Sequence, residues 1–310
     1  AIGAAVIGWL SAGGMHRAHH PWAGLAPSGS APMLVVDGFS LFFMMLMSIF
    51  LLAVIGMWWI GQRLDPVSQA HSGDAVEFFV LLLGSAFGMS LMVSTTNMLM
   101  IVLAVESASL PSYGLAGFRK KHRPAAEAAI KYMLFGAVTS AMMIYGASLL
   151  YGYYHTLDLA QIARKVSEDG TSMLPGIAIF MFLIGVAFKV SAVPFHFWCP
   201  DVFEGATIEV TTWLSVVSKA AGLGLMLRIV AVMTTAQAST QTLHYLSLAI
   251  AVMAALTCTV GNFSAFRQTN LKRLLAFSSI AHAGYMLMAV AIFWKPTAAG
   301  QVHPGFSTVI

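Results

Sequence analysis

Four ionisable side chains lie inside long apolar stretches of this sequence: Glu106, Lys131, Lys189 and Lys219. A charge near the middle of a membrane costs about 3 kcal/mol on insertion scales, and more in simulations. Such residues usually face the interior of a helix bundle or a path of water, where they serve the movement of ions or protons. The four residues therefore indicate proton or ion movement inside a membrane.

The positions of these residues suggest how they could meet. Glu106 lies about nine residues from either flanking loop, and Lys189 and Lys219 are 30 residues apart on neighbouring antiparallel spans. Both lysines are predicted to reach one interior axis, where a nearby lysine would influence whether Glu106 is ionised. A structural ion pair is the alternative for Glu106. Lys131 follows Pro124 by seven residues, so its side chain could instead extend to the membrane surface.

The stretch after Lys189 predicts a broken helix. Pro194 and Pro200 follow the lysine closely, and proline removes a backbone donor and disrupts the preceding turn. Non-helical backbone at membrane depth is tolerated where it is buried in protein or lines a watery cavity. His196 lies inside the predicted break and is the side-chain type best suited to proton transfer near neutral pH. The alternative is that the span ends at Pro194 and the chain re-enters near Thr207.

Two further residues have competing interpretations. Lys272, with Arg273, stands at the inner start of the last span, where basic residues usually anchor a helix, although Lys272 could also reach inward. His282 lies inside that span and is interpreted first as a hydrogen-bonded structural histidine.

The composition identifies the elements that must position these residues. The chain is 58% hydrophobic and 9% charged, with a mean hydropathy of +0.80, whereas soluble domains average about 25% charged residues. A segment of about 20 apolar residues can cross a membrane as a helix. We predict an all-α, multi-pass membrane protein with eight crossings, near residues 34–60, 78–96, 97–118, 124–152, 174–193, 207–233, 241–262 and 274–294.

The loops and termini add topology rather than catalytic motifs. Lys and Arg concentrate in loops that this topology places on one face, so the net charge of +4 reflects the positive-inside rule and not a nucleic-acid partner. Residues 13–33 and 153–173 are predicted outer loops, and 61–76 an inner loop. The apolar piece 1–12 is too short to span, and a new apolar run begins near residue 310, so the chain is expected to be incomplete at both ends.

Cofactor and metal motifs are missing from the sequence. It has no Gly-rich phosphate loop and no cysteine cluster suited to iron–sulfur chemistry. His16, His19 and His20 lack a nearby cysteine or carboxylate, which argues against a metal site. Cys199 and Cys258 are expected to be small buried side chains. We predict no cofactor and no metal in this chain.

Several segments spread over most of residues 36–290 carry a family resemblance: Val36–Phe43, Glu106–Phe118, Glu127–Tyr132, Phe188–Trp198, Pro200–Gly205, Ser218–Ala221 and Gln268–Tyr285. Together they resemble the antiporter-like, proton-translocating subunits of respiratory complex I, most closely the N (ND2) type. The residue before Glu106 is Val105, where the sibling subunits usually carry Trp, and Leu110-Pro111-Ser112-Tyr113 suits the N type.

The resemblance implies roles for individual residues. Glu106 and Lys189 would form the coupled pair of a half-channel that Lys131 modulates, and Lys219 would continue a central hydrophilic axis. His196 would be the histidine of the broken helix, and Lys272 is included as a candidate for the same proton path. The implied fold has two inverted five-helix repeats, the first at about 97–233 and part of the second at about 241–310.

The resemblance also implies a setting. NADH, FMN, iron–sulfur clusters and quinone would be bound by partner subunits, and the partners would be other membrane subunits, including sibling antiporter-like subunits, in a bacterial inner membrane. Two alternatives remain open at this point. One is a subunit of a multisubunit Na⁺/H⁺ antiporter, and the other is a structural membrane subunit whose buried charges fix the helix register.

Overall fold

A computed structural model describes residues 33–64, 74–119, 122–169, 173–235 and 240–292. This part of the chain is helical, apart from short connections and two isolated bridges between extended residues. The helices are α1 (Gly38–Leu64), α2 (Ala75–Ser94), α3 (Met98–Ala116), α4 (Arg123–Tyr154), α5 (Leu159–Glu168), α6 (Met173–Val190), α7 (Trp198–Gly205), α8 (Ile208–Trp213), α9 (Lys219–Thr235), α10 (Thr240–Phe266) and α11 (Leu271–Ile292).

The prediction of eight crossings is confirmed within these residues. Eight helical segments are long and apolar enough to span a membrane, and the one at Ile208–Thr234 joins α8 to α9. The histidines at 16, 19 and 20, the apolar piece 1–12 and the apolar run near residue 310 lie outside the described residues. Most of the predicted inner loop, from 65 to 73, does so as well.

One predicted loop contains a helix. Residues 153–173 were expected to form an outer loop, but α5 occupies ten of them. Asp158 caps this helix, because its Oδ1 accepts a hydrogen bond from the Gln161 amide at 2.9 Å. Its apolar face is buried, including Leu159 and Ile162. The surface segment is therefore a short amphipathic helix packed on the bundle.

The predicted break after Lys189 is confirmed. Helix α6 ends at Val190, and α7 begins only at Trp198. Ser191, the first residue of the break, has φ 62°, in the left-handed region that costs a non-glycine residue energy. The chain thus leaves the helix at Ser191, two residues after the lysine, and Ser191 is completely buried.

A second irregularity precedes Lys219. Residues Leu214–Ser218 form a π-helical turn between α8 and α9. Such turns interrupt regular helix hydrogen bonding and are frequent at functional sites. Each of the two deeply buried lysines therefore lies next to a local departure from α-helix.

An ion pair links helices near the start of α1. Arg228 in α9 contacts Asp37 through both guanidinium ends, at 2.7 and 3.0 Å, and its Nε donates to the Val93 carbonyl at 2.6 Å. Burial raises the pKa of Asp37, but the hydrogen bond and charge of Arg228 outweigh it and hold the pKa below its usual 3.8. The pair joins α9 to the start of α1 and the end of α2.

Candidate functional site

Lys189 lies at the end of α6, in the interior of the bundle. The residue is 1% exposed, and its Nζ has no hydrogen-bond partner among the residues that the structure describes. A buried ammonium group normally requires partners, since burial without them is costly. The site thus contains an ionisable group whose charge is poorly compensated, which is the condition for a group that gains and loses a proton.

Glu106 in α3 is the acidic group that acts on Lys189. Its charge attracts the lysine ammonium, yet the two side chains are not in ion-pair contact. The Glu106 carboxylate instead accepts a hydrogen bond from the Ser140 hydroxyl of α4. The structure therefore brings the two residues of the predicted pair into one region, but their charged groups are not in contact.

Lys219 is the first residue of α9. It is 2% exposed, and its Nζ donates to the Ser279 hydroxyl of α11 at 2.6 Å. A Cβ on Gly222 would lie 3.3 Å from the Lys189 Cβ and 2.9 Å from Val190 Cγ2. The backbone of α9 thus meets the end of α6 closely, one turn after Lys219. The shared axis of the two lysines stays a prediction.

His196 lies within the break, as predicted. It is 6% exposed, and its ring centroid is 4.5 Å from that of Phe197. His282, by contrast, is exposed on α11, with its ring centroid 6.0 Å from that of Tyr285. The interpretation of His282 as a hydrogen-bonded structural histidine gains no support from this position.

Lys131 belongs to a different environment. Its Nζ contacts Asp201 Oδ2 of α7 at 2.8 Å and Glu127 Oε1, one turn earlier in α4, at 2.7 Å. Its side chain is 40% exposed. Lys131 is thus doubly paired beside the end of α4 that the sequence places on the inner face, and it does not join the Glu106 and Lys189 pair directly.

Lys272 lies in the same inner region. Its Nζ donates to the backbone carbonyls of Ala206, at 2.9 Å, and Glu204, at 3.5 Å. The neighbouring Arg273 contacts the carboxylates of Asp201 and Glu204 at 2.9 and 2.8 Å. Lys272 therefore reaches the end of α7 from the start of α11.

The structure also adds residues that the sequence reading passed over. Ser140 and Ser279 are the hydroxyl partners of Glu106 and Lys219, and Asp201 contacts two cations. Serine is common in apolar helices, so nothing local distinguished these two. Asp201 follows Pro200 in a segment that carries the family resemblance, and its acidic charge beside a predicted break was a usable signal.

Among the described residues no group of His, Cys, Asp and Glu is suited to hold a metal ion, and both cysteines are free and buried.

Sequence comparisons place these features in a family. Residues 95–301 match the family model described as NADH:quinone oxidoreductase/Mrp antiporter, transmembrane. NADH-quinone oxidoreductase subunit N of Anaeromyxobacter sp. (strain Fw109-5) is 44% identical over 231 residues, which are 69% of this chain and 45% of that protein. Subunit N of Chlorobium chlorochromatii is 39% identical over 270 residues, which are 85% of this chain and 51% of that protein.

Solved structures have the same architecture. A chain of respiratory complex I from Thermus thermophilus, solved with bound aureothin, is 35% identical, with a TM-score of 0.69 over 87% of this chain and 55% of that chain. A chain of the Mrp complex from Dietzia sp. DQ12-45-1b has a TM-score of 0.72 at 22% identity, over 95% of this chain and 52% of that chain, and this likeness concerns the fold alone.

These matches agree with the arrangement of the helices and extend over most of the chain. The chain spans about half the length of the curated relatives it matches. Its fold is the antiporter-like helix bundle, in which a break separates α6 from α7. The chain belongs to the NADH:quinone oxidoreductase/Mrp antiporter transmembrane family.

Proposed function

We propose that this chain is a proton-translocating membrane subunit of an NADH:quinone oxidoreductase, of the subunit N type. The observation that carries the proposal is Lys189, an almost completely buried lysine at the end of α6 whose Nζ has no hydrogen-bond partner among the residues that the structure describes. Buried ionisable residues of this kind mark proton relays in membrane proteins. The subunit N proteins that resemble the chain support the assignment to this complex.

The open pair of Glu106 and Lys189 supplies the switching step. Approach of the carboxylate favours the charged ammonium form, and separation favours release of the proton. Ser140 holds the carboxylate in the separated position by donating a hydrogen bond. A shift of this hydrogen bond would let Glu106 move between Ser140 and Lys189, and each move would change how tightly Lys189 holds its proton.

A proton released from Lys189 needs a route onward. The hydroxyls of Tyr132 and Ser218 are buried and, like Lys189 Nζ, without hydrogen-bond partners in the described part of the chain. Buried polar atoms of this kind are normally satisfied by ordered water. We infer a hydrated path from Lys189 to Lys219, with His196 in the broken segment as a further exchange point.

Lys131 and Lys272 have a different part in this proposal. Both are engaged with α7, through Asp201 and through the carbonyls of Glu204 and Ala206. A lysine that is already paired retains its proton more firmly than an unpaired one. We assign these two residues to the inner boundary of the path, where they hold α7 in position. We assign proton transfer to the buried lysines Lys189 and Lys219.

The energy for this movement would come from outside the chain. Quinone reduction in other subunits would change the field at one end of the axis, and that change would be linked to the pairing of Glu106 with Lys189. The chain itself would bind no redox cofactor, and NADH, FMN, iron–sulfur clusters and quinone would belong to its partners. Those partners would include other membrane subunits and sibling antiporter-like subunits, in a bacterial inner membrane.

Proton pumping measured alongside electron transfer tests the proposal. In membranes whose complex is assembled, as judged by native gel, we expect Lys189→Ala and Glu106→Gln to lower pumping and coupled electron transfer together. Lys165→Ala is the matched control, because Lys165 lies on the surface helix α5 and donates to the Tyr154 carbonyl. Unchanged pumping in assembled Lys189→Ala complex would refute the proposal and leave a structural role for the buried charges.

A second function is favoured by the family description, which names Mrp antiporters as well as NADH:quinone oxidoreductase. A sodium/proton antiporter subunit would use the same buried glutamate and lysines without quinone chemistry. Purification of the native complex separates the two candidates, because redox subunits accompany the chain only in the first. Their absence, together with sodium-dependent proton movement, would favour the antiporter.

A further inference from the structure

Helix α7 is a short segment held between two neighbours by charged side chains. Asp201 accepts from Lys131 of α4 through Oδ2 at 2.8 Å, and from Arg273 of α11 through Oδ1 at 2.9 Å. Glu204, one turn later, contacts Arg273 at 2.8 Å. Among the described residues, the ion pairs of Lys131 are with Glu127 and Asp201 and not with Glu204. One carboxylate thus ties α7 to both neighbouring helices, while the other ties it to α11.

The end of α7 is fixed as well. Lys272 donates to the carbonyls of Glu204 and Ala206, which are among the acceptors that a helix leaves unpaired at its C-terminus. A positive charge at this end also interacts favourably with the helix dipole. This contact comes from α11, as does the contact from Asn270 Nδ2 to Glu204 Oε1 at 3.0 Å. The attachment to α11 is therefore multiple, whereas Asp201 supplies the ion pair to α4.

The beginning of α7 is connected to Lys189. The indole of Trp198 stacks on Tyr132, with ring centroids 4.2 Å apart, and its Nε1 donates to the Phe188 carbonyl at 3.2 Å. Phe188 directly precedes Lys189, and the break after Val190 removes helical partners from the carbonyls of this last turn. A displacement of α7 would therefore be transmitted to the turn that carries Lys189.

We propose that Asp201 is the positioning residue of the broken helix. By binding Lys131 and Arg273 together, it sets α7 between α4 and α11, and through Trp198 it sets the turn of Lys189. Without the Asp201 charge, Lys131 retains Glu127 and Arg273 retains Glu204. The specific consequence is that α7 stays attached to α11, while its contact with α4 opens more easily because it then depends on the packing of Trp198 against Tyr132 of α4.

Cys199 offers a direct readout of this separation. It lies in α7 two residues before Asp201 and is fully buried. These 310 residues contain two cysteines, so Cys258→Ser leaves Cys199 as the single thiol among them. In assembled complex, we measure its labelling by a charged maleimide and read the product in the proteolytic peptide that contains Cys199. Asp201→Asn is expected to raise the labelling rate about fivefold, because a local opening becomes easier.

Two further variants test whether the effect belongs to the link between α7 and α4. Glu204→Gln removes the same charge from the same helix without touching Lys131, and it should change labelling less than twofold. Lys131→Gln should reproduce the rise of Asp201→Asn, and the double variant should add nothing to either single one. The proposal would be overturned if the Cys199 labelling rate in Asp201→Asn stayed within twofold of the parent rate, or if Glu204→Gln raised that rate equally.

The effect on pumping rests on the proposed function and is measured in the same membranes. The number of protons pumped per electron should fall in Asp201→Asn and be restored in part by Asp201→Glu, which keeps the charge. If Lys189→Ala lowers pumping but Asp201→Asn does not, the positioning role is refuted while the proposed function stands. If Lys189→Ala leaves pumping unchanged, the proposed function fails, and the labelling results still decide whether Asp201 holds α7.

Discussion

The ionisable residues in two regions of this protein differ in how completely they are paired. In the inner region, Lys131 and Arg273 each contact two carboxylates. In the core of the bundle, Lys189 has no hydrogen-bond partner within the described part of the chain, and Lys219 has the Ser279 hydroxyl. A pair of opposite charges holds both groups in their charged forms, whereas a lone buried lysine is costly to keep charged. Under the proposed function, this difference separates residues that hold helices together from residues that would exchange protons.

The largest expected contrast in stability is between Arg228 and Lys189. Arg228→Met would leave the partly buried Asp37 carboxylate without its partner, and we expect a loss of about 3 kcal/mol. Lys189→Met removes a buried charge that lacks a partner, so the protein should be equally stable or more stable while pumping is lost. Denaturant midpoints of the assembled complex check both. Strong destabilisation by Lys189→Met would contradict the distinction between the two regions.

The Asp37 and Arg228 pair also predicts a pH dependence. Because the pKa of Asp37 is lower in the folded protein, its stabilising effect is complete above the unfolded pKa and disappears as the pH falls through the folded pKa. The stability difference between the parent and Asp37→Asn should therefore be constant between about pH 5 and 8 and shrink below about pH 4. A difference that grew toward acid pH would show that the carboxylate is not the stabilising form.

The sequence predicted the part of this architecture that depends on composition. Apolar length indicated the eight spans, and the prolines after Lys189 indicated the break, because both effects are local. The amphipathic helix α5 was missed because half of its ten residues are polar, so its composition resembles that of a loop more than that of a span. Asp158, a typical N-cap residue, was the local signal for it.

The partners of the buried charges were beyond a local reading. Ser279 is 60 residues from Lys219, and Asp201 is 70 residues from Lys131. Which serine or aspartate faces a given lysine depends on the rotation and crossing of three or more helices, and helical periodicity is weak in spans that are apolar on most sides. The resemblance to a family could name Glu106 and Lys189 as a pair. That their charged groups are not in contact is visible only in the structure.

Ser279→Ala tests the poorly paired region at a single hydroxyl. The Lys219 ammonium would lose the hydrogen bond it makes to this side chain, and the loss should cost about 1.5 kcal/mol. Since that cost falls on the charged form, we expect pumping to slow by about tenfold. Ser278→Ala, the same change one residue earlier, is the control. Equal pumping rates in the two variants would show that Ser279 does not support the charge on Lys219.

The smallest effect is expected at the exposed edge of the paired region. Glu127 contacts Lys131 at i, i+4 spacing, but its side chain is 67% exposed, so solvent screens the pair. Glu127→Gln should therefore change stability by less than about 0.5 kcal/mol, because Asp201 still binds Lys131. Pumping and Cys199 labelling should stay at the parent level. A response as large as that of Asp201→Asn would mean that the total negative charge around Lys131, and not its link to α7, is what matters.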